Sequence, residues 1–361
     1  MVRTAVAVLF GGRSSEHSIS SATAGGVLRA IDRDRYRVFP VGITRDGVFV
    51  LEDDDPDKFA LDAHALPEVV DNGTRVFWPH AGERTLVVRR ADGTEEELGE
   101  IDVVLPILHG THGEDGTVQG FFDTLGIPYA GGAVLDSALC MDKHFMKIVL
   151  RDSGIAVSPW ITVRRAEWTG DAAAIAERAS ELSFPWFVKP ARAGSSVGVS
   201  KVHDLGELAG ALDIAFAEDD KVLVEQGIAG REIEVGVLGA RAGGEPRVSL
   251  PGEIVLTSRE FYDFEGKYLG GDGVDVVCPA AMSDAETAAV QDAALRAFAA
   301  VEGRGLARVD FFLGEDGPVV NELNTMPGFT PISMFPKCWI ASGLSYEALI
   351  TDLIEQALER A

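Results

Sequence analysis

The sequence predicts an α/β (α+β) protein, with a doubly wound N-terminal part and a mostly antiparallel remainder. Three observations lead there. Residues 4–10, TAVAVLF, form an unbroken apolar run that passes into Gly11-Gly12 and a serine-rich turn, the pattern of a buried parallel strand feeding a helix. Residues 102–108 repeat the buried-strand pattern and end in the glycine- and histidine-rich loop 109–116, at the strand end where open sheets hold ligands. Residues 308–328, RVDFFLGEDGPVVNELNTMPG, read as a β-hairpin around Gly314-Glu315-Asp316-Gly317.

A chain of 361 residues is too long for one core, and the reading places domains at 1–131, 132–226 and 227–361. The net charge of −25 repels phosphate backbones and anionic lipid, so no nucleic acid and no membrane is expected as a partner. A local positive funnel for a nucleotide stays open. Cys140, Cys278 and Cys338 are scattered without a CxxC pair, which indicates neither a zinc site nor a disulfide framework. No apolar run approaches the roughly 20 residues of a membrane span. The first apolar run is too short for a signal peptide, so a cytoplasmic protein is expected.

Taken in order, Ser14 or Ser15 is placed to cap the first helix. Glu16 falls in its first turn, where free N–H groups favour a carboxylate. It is either a plain N-terminal acid or a fixed anion at a cleft mouth, suited to an ammonium group. A full GxGxxG is absent, which weakens a dinucleotide reading. Residues 51–100 are acidic and turn-rich and read as peripheral strands and loops. His109 and His112 lack a third soft ligand, so their loop more simply shapes a cleft than binds metal. Residues 126–132, GIPYAGG, read as a crossover into the next domain. A helix then runs from Asp142 to Gly154, with apolar Phe145, Ile148 and Val149. Lys143 near its start opposes the helix dipole, which makes it a candidate phosphate ligand.

A strand near 160–163, a helix over 171–182 and a strand at 184–188 deliver Lys189. Residues 189–200, KPARAGSSVGVS, form either an ordinary Ser/Gly hairpin or a phosphate-gripping flap with free N–H groups and hydroxyls. They are not a Walker A sequence. A helix at 205–216, a strand at 221–225 and a glycine hinge at 227–230 follow, then strands at 232–238 and 248–255. Residues 258–273, SREFYDFEGKYLGGDG, are too polar for core and too aromatic for a linker, and suit a lid that excludes water. Helices at 284–302 and 345–359 complete the reading.

In the hairpin, Glu322 and Asn324 lie two residues apart and share a face. Pairing of the strands can bring Asp310 beside them. The cluster is either an ordinary hairpin with solvated acids or an all-oxygen site of the kind Mg²⁺ prefers. Arg308 and the Pro327-Gly328 turn add a cation and free N–H groups, which favours a phosphoryl-transfer site.

Together these stretches resemble the ATP-grasp ligases, within them the D-alanine–D-alanine ligase family. The resemblance covers essentially the whole chain. It rests on GGRSSEHSIS at 11–20, HGTHGEDGTVQG at 109–120, MDK at 141–143, VKPARAGSSVGVS at 188–200, VEQGIAGREIEV at 224–235, FYDFEGKY at 261–268, RVDFF at 308–312 and NELNTMPGFTPIS at 321–333. It implies an ATP-grasp fold behind a Rossmann-like domain, and ATP-dependent ligation of two D-alanines through a D-alanyl phosphate for peptidoglycan synthesis. It also implies two Mg²⁺, with Mn²⁺ as a substitute, and a homodimer. By the same resemblance, Lys143 and Lys189 would hold ATP phosphates. Glu225, Gln226 and the backbone through Ile228 would read the adenine, and Glu232 the ribose. Ser195, Ser196 and Asn321 would complete the nucleotide's contacts. Asp310, Glu322 and Asn324 would hold the metals, with Glu322 bridging. Glu16 and His109 would receive the first D-alanine. Arg308 and the Gly328 N–H would stabilise the oxyanion. Ser333 and Lys267 would hold the second carboxylate or a phosphate, and Ser195 and Tyr268 would tie the lid to Glu16. Phe264 departs from the tyrosine that relatives often carry, and the lost hydroxyl weakens nothing essential. D-alanine–D-lactate ligases share the scaffold, but their lid normally lacks the Lys267-Tyr268 pair. A non-catalytic nucleotide-binding module on this fold would not need the acids, lysines and Arg308 together.

Overall fold

The computed structural model describes residues 3–61, 66–256 and 273–360. Strand Thr4–Gly11 pairs in parallel with Tyr36–Ile43 on one side and Val103–Ile107 on the other, and Phe49–Leu51 adds an antiparallel edge. Its unbroken apolar run follows from cover on both faces. Val6, Val8 and Phe10 pack with Val27 and Leu28 of helix His17–Ala30 and with Leu349, Ile350 and Leu353 of the last helix, Tyr346–Glu359. Ala7 and Leu9 face a second core with Leu86, Val118 and Phe122. Each fully buried side chain of this size contributes roughly 1.5–3 kcal/mol of transfer free energy, so a charge at any of these positions would open the sheet. The described residues of 51–100 form the expected peripheral structure, including a three-stranded antiparallel sheet of Arg75–Phe77, Thr85–Arg89 and Glu95–Glu100.

The middle of the chain builds an antiparallel sheet in the order Ser200–Val202, Trp186–Pro190, Lys221–Gln226, Trp160–Arg164, around Trp186, Val188, Leu212 and Phe216. The last sheet runs Val274–Val277, Gly252–Leu256, Arg231–Leu238, Leu306–Gly314, Gly317–Asn324, with Arg247–Val248 also paired to Arg231–Leu238. The single strand expected at 248–255 is split, because Pro251 between the pieces has no N–H to give the ladder.

Other expectations need correction. The first helix starts at His17, with Glu16 as its cap residue and no side-chain cap bond. Ser14 Oγ accepts the Glu16 N–H at 3.2 Å and donates to the His109 carbonyl at 2.7 Å, joining two loops instead of capping. The helix Lys143–Asp152 is capped by the Asp142 carboxylate, but Phe145 on it is exposed; the buried positions are Met146, Lys147 and Leu150. Helices Thr117–Leu125, Val134–Met141 and Met334–Ala341 escaped the sequence reading. The last of these buries Met334, Phe335, Pro336, Cys338 and Trp339, so it has no polar face to reveal a period. The lid expected at 258–273, with Phe264, Lys267 and Tyr268, lies outside the described residues except for Gly273. Among the described residues no helix is long and apolar enough to cross a membrane.

Candidate active site

The hairpin Leu306–Gly314/Gly317–Asn324 sets the geometry. Asp310 stands opposite Glu322, and Arg308 opposite Asn324. The register slips between Asp310 and Phe311, so that Phe311 meets Val320 and Asn321 is the extra residue. This bulge breaks the in–out alternation: Val320 and Leu323 are buried, while Asn321 and Glu322 both face a cavity. On the other side of Leu306–Gly314, strand Arg231–Leu238 sets Glu234 opposite Asp310.

Two cavities meet over this hairpin. The larger, about 300 Å³, lies between the central and last sheets and takes in Lys189, Ser196, Glu225, Gln226, Ile228, Glu232, Asp310 and Asn321. The smaller, about 90 Å³, takes in Glu16, His109, Arg308, Asn324, Gly328 and Ser333. Lys143, Ser195 and Glu322 line both. Every candidate named from sequence and lying among the described residues therefore borders one cavity or the other. Lys267 and Tyr268 lie outside the described residues.

In the larger cavity, Lys189 Nζ is 2.7 Å from Glu225 Oε2 and 3.3 Å from Asn321 Oδ1. Lys143 Nζ donates to the Ala193 carbonyl at 2.7 Å and stands 3.6 Å from Glu322. Both lysines thus hang on the flap 191–199, or on the acids, at the seam of the two cavities. Ser195 and Ser196 adopt left-handed φ angles of 50° and 58°, which costs a non-glycine residue free energy and is tolerated where function over-determines the loop. That turn lets the Ser195 hydroxyl donate to the Glu16 carboxylate across the cleft.

Arg308 is fixed by acids. Its Nε and Nη2 donate to the two Asp310 oxygens at 2.7 Å each, and Nε lies 3.0 Å from Glu234. Burial alone would weaken its hold on the proton, but Asp310 and Glu234 outweigh it and keep the guanidinium charged. Asn324 Nδ2 donates to Asp310 at 3.0 Å, which leaves its carbonyl oxygen as an acceptor. The donor set of Asp310, Glu322 and Asn324 is all oxygen, and its carboxylates oppose one another in register. It suits Mg²⁺ or Mn²⁺. Among the described residues no group of three or more His, Cys, Asp or Glu side chains forms a further metal site.

His109 is buried, and burial depresses its pKa, so it is neutral. Its Nδ1 meets the Met326 carbonyl at 3.1 Å and must carry the proton; Nε2 then accepts from Thr23 Oγ1 at 3.2 Å. The ring ties loop 109–116 to the turn that carries Gly328, consistent with shaping a cleft. His112 is exposed.

Several residues of the site were missed. Glu114 accepts the Gly110 N–H at 2.8 Å, and burial together with the nearby Glu16 charge raises its pKa to about 8. Glu234 is two residues from Glu232 on one strand, so the period-2 rule applied to Glu232 could have found it. Lys147 lies four residues from Lys143 on one helix face. It is fully buried, with Nζ 2.8 Å from Ser158 Oγ and 3.4 Å from Glu225 Oε1. No sequence signal set Glu114 apart from the other acids of its loop.

Comparison with known proteins bears on this geometry. The family model described as D-ala D-ala ligase N-terminus matches residues 5–132, and that described as D-ala D-ala ligase C-terminus matches residues 149–355. The D-alanine–D-alanine ligase of Paenarthrobacter aurescens is 48% identical over 362 residues, covering 99% of this chain and 96% of its own. That of Kineococcus radiotolerans is 50% identical over 365 residues, covering 98% and 96%. Among solved structures, the VanG D-Ala:D-Ser ligase of Enterococcus faecalis superposes with a TM-score of 0.81 at 33% identity, covering 99% of this chain and 100% of its own. The D-alanine–D-alanine ligase of Coxiella burnetii gives 0.81 at 35%, covering 99% and 94%. A Bacillus anthracis D-alanine–D-alanine ligase complexed with ATP gives 0.71 at 28%, covering 99% and 98%.

Proposed function

The chain belongs to the D-alanine–D-alanine ligase family, and from that premise we propose that it uses ATP to join two D-alanines into D-alanyl-D-alanine for peptidoglycan precursors. The observation that carries this reading is the meeting of two cavities at Lys143, Ser195 and Glu322. A nucleotide in the larger one would point its terminal phosphate at a small substrate in the other.

ATP would lie along Glu225–Ile228 and Glu232, with Lys189 and Lys143 on its phosphates. The first D-alanine would place its ammonium at Glu16 and its carboxylate toward Arg308 and the Gly328 N–H. A carboxylate oxygen then attacks the γ-phosphorus, ADP leaves, and an acyl phosphate forms. The second D-alanine, anchored near Ser333, attacks the acyl carbon with its neutral amine. Arg308 and the Gly328 N–H hold the oxyanion, and phosphate leaves with the dipeptide formed. Proximity and electrostatics account for this chemistry without a protein nucleophile. Asp310, Glu322 and Asn324 would hold two Mg²⁺, which would neutralise charge on the transferring phosphoryl group. We further infer a cytoplasmic enzyme, because its nucleotide is there, and a homodimer, as the resemblance implies. We keep the divisions at residues 131 and 226; Val163–Val224 closes a core of its own.

The test is phosphate release with ATP, Mg²⁺ and D-alanine, with the product resolved by mass and D-serine and D-lactate offered in competition. ATP consumption without a D-alanyl dipeptide would overturn the reading, and a preference for D-serine would reassign the second substrate.

A further inference from the structure

We propose that Cys278 and Cys338 form an oxidative-modification site, in which a hydroperoxide converts the two thiols into an intramolecular disulfide that slows the enzyme. Cys278 follows the edge strand Val274–Val277, and Cys338 lies in helix Met334–Ala341. Their sulfurs are 3.6 Å apart, with Cys278 partly exposed and Cys338 buried. The pair closes a small apolar seam with Ile254, Met334, Val274 and Val276.

A packing role alone would need no asymmetry between the thiols, yet one exists. The contact with Cys338, together with Lys337 and against burial, lowers the Cys278 thiol pKa, while the contact with Cys278 and burial raise that of Cys338. Cys278 is thus the accessible nucleophile and Cys338 the resolving group. The Cys278 thiolate attacks one peroxide oxygen, the O–O bond breaks, and hydroxide leaves, giving a sulfenic acid. The Cys338 sulfur then attacks the Cys278 sulfur, the S–O bond breaks, and its proton leaves with the hydroxyl as water. Overall two thiols lose two electrons and two protons, and hydrogen peroxide becomes two waters (an organic hydroperoxide would leave as its alcohol, with one water). Cys140 supplies a contrast inside the same chain. It is buried, burial pushes its thiol pKa far up, and it should stay reduced.

The disulfide reaches the active site through the helix. Closing a 3.6 Å contact to a bond of about 2.05 Å requires movement of Cys338 or of the strand end. Movement has little room: a Cβ built on Gly252 would lie 2.1 Å from Met334 Sδ and 3.1 Å from Cys338 Sγ. Met334 and Ser333, at the head of this helix, line the smaller cavity. Cys338 also sits at 3.9 Å from the carbonyl of Glu234, whose carboxylate contacts Arg308. A displacement of about 1 Å at such a site costs up to about 100-fold in rate.

The experiment exposes the reduced, full-length enzyme to a few equivalents of hydrogen peroxide. The expected result is a loss of 2 Da, a cross-linked peptide pair containing Cys278 and Cys338, and turnover reduced about 10-fold or more, restored by dithiothreitol. Cys278→Ser and Cys338→Ser should keep the reduced enzyme's activity and lose the response. If Cys338→Ser folds poorly, Cys278→Ser decides alone, since its side chain is partly exposed. Addition of 16 or 32 Da at Cys278 without the cross-link would overturn the proposal, as would a cross-linked enzyme of unchanged turnover. The cross-link is read by mass, so this outcome does not depend on which amino acids the enzyme joins.

Discussion

Replacing Lys147 by methionine removes a buried ammonium while keeping most of the side chain's length. Lys147 and Lys189 each stand by a different oxygen of Glu225, at 3.4 and 2.7 Å. Glu225 is 3% exposed. Burial by itself would raise its pKa; the two lysines outweigh that and keep it ionised. Burial brings Lys147 down to a pKa of about 8, so near neutral pH it still carries its charge. If Lys189 is to serve the nucleotide phosphates, it must loosen its grip on Glu225, and Lys147 is then the counter-ion that remains. In Lys147→Met, Lys189 is left as the cation beside this buried carboxylate, with the Ser158 hydroxyl its other donor, and resists leaving. A hydrogen bond to a charged group contributes about 1.5–3 kcal/mol. At 1.36 kcal/mol per tenfold, the KM for ATP should rise about 10- to 150-fold, with kcat at saturating ATP changed far less. Steady-state kinetics in ATP at saturating D-alanine read this split. The control is the double-mutant cycle with Glu225→Gln, whose neutral amide needs no counter-ion. In that background Lys147→Met should raise the KM less than about 3-fold. An unchanged KM in the single variant, or an undiminished effect in the Gln background, would refute the counter-ion argument.

Glu322→Gln removes the charge that faces Asp310 and Lys143, and should lower kcat by about 10³-fold or more, the several kcal/mol typical of metal-assisted steps; near wild-type turnover in saturating Mg²⁺ would sink its role as the bridging ligand. Glu114 should make binding of the first D-alanine pH-dependent. Its folded pKa of about 8 stands above the ordinary 4.5, so between these values the folded chain holds a proton that the unfolded chain has lost, and this group's contribution to stability falls as pH rises. An incoming ammonium favours its ionised form, so the KM for the first D-alanine should fall from pH 6.5 to 8, and that slope should flatten in Glu114→Gln. Hydrogen exchange over 191–199 should slow when a non-hydrolysable ATP analogue and D-alanine are added, because the flap's lysine and serine contacts gain partners; equal exchange in the two states counts against a closing flap. Tyr268→Phe should relax discrimination against D-lactate in an equimolar competition with D-alanine, and an unaltered product ratio would remove Tyr268 from that role.

What the sequence revealed follows from the range of the forces involved. The buried strand at 4–10 was legible because both of its faces meet apolar cores, and an uninterrupted run is the signature of that environment. The hairpin was legible because its turn and the period-2 pair Glu322 and Asn324 are local. The bulge at Asn321 was not, since a register slip depends on the partner strand and leaves no local mark. Helix Met334–Ala341 was hidden because most of its positions are buried and the exposed one, Ile340, is itself apolar, which erases amphipathic contrast. Lys147 was hidden for a related reason: a lysine on a helix reads as solvated unless its partners are known. Those partners, Ser158 and Glu225, are 11 and 78 residues away.

The net charge of −25 raises the question of how such a chain holds a nucleotide. Much of the excess lies on exposed acids such as Asp53, Glu97, Glu315 and Asp316, where salt screens it within about 10 Å. The cations of the site stand differently. Lys143 and Lys189 are mostly buried, with side-chain exposures of 12% and 10%, and Arg308 is at 13%. Each is held by an acid on a neighbouring strand or helix. Those acids lower the cost of keeping cations in a poorly hydrated cleft before any ligand arrives. Phosphates, and the metal proposed above, would then compete for partners that are already charged and in place. Such a site gains its affinity by exchanging partners within the cleft, so an acidic surface and an anionic substrate are compatible.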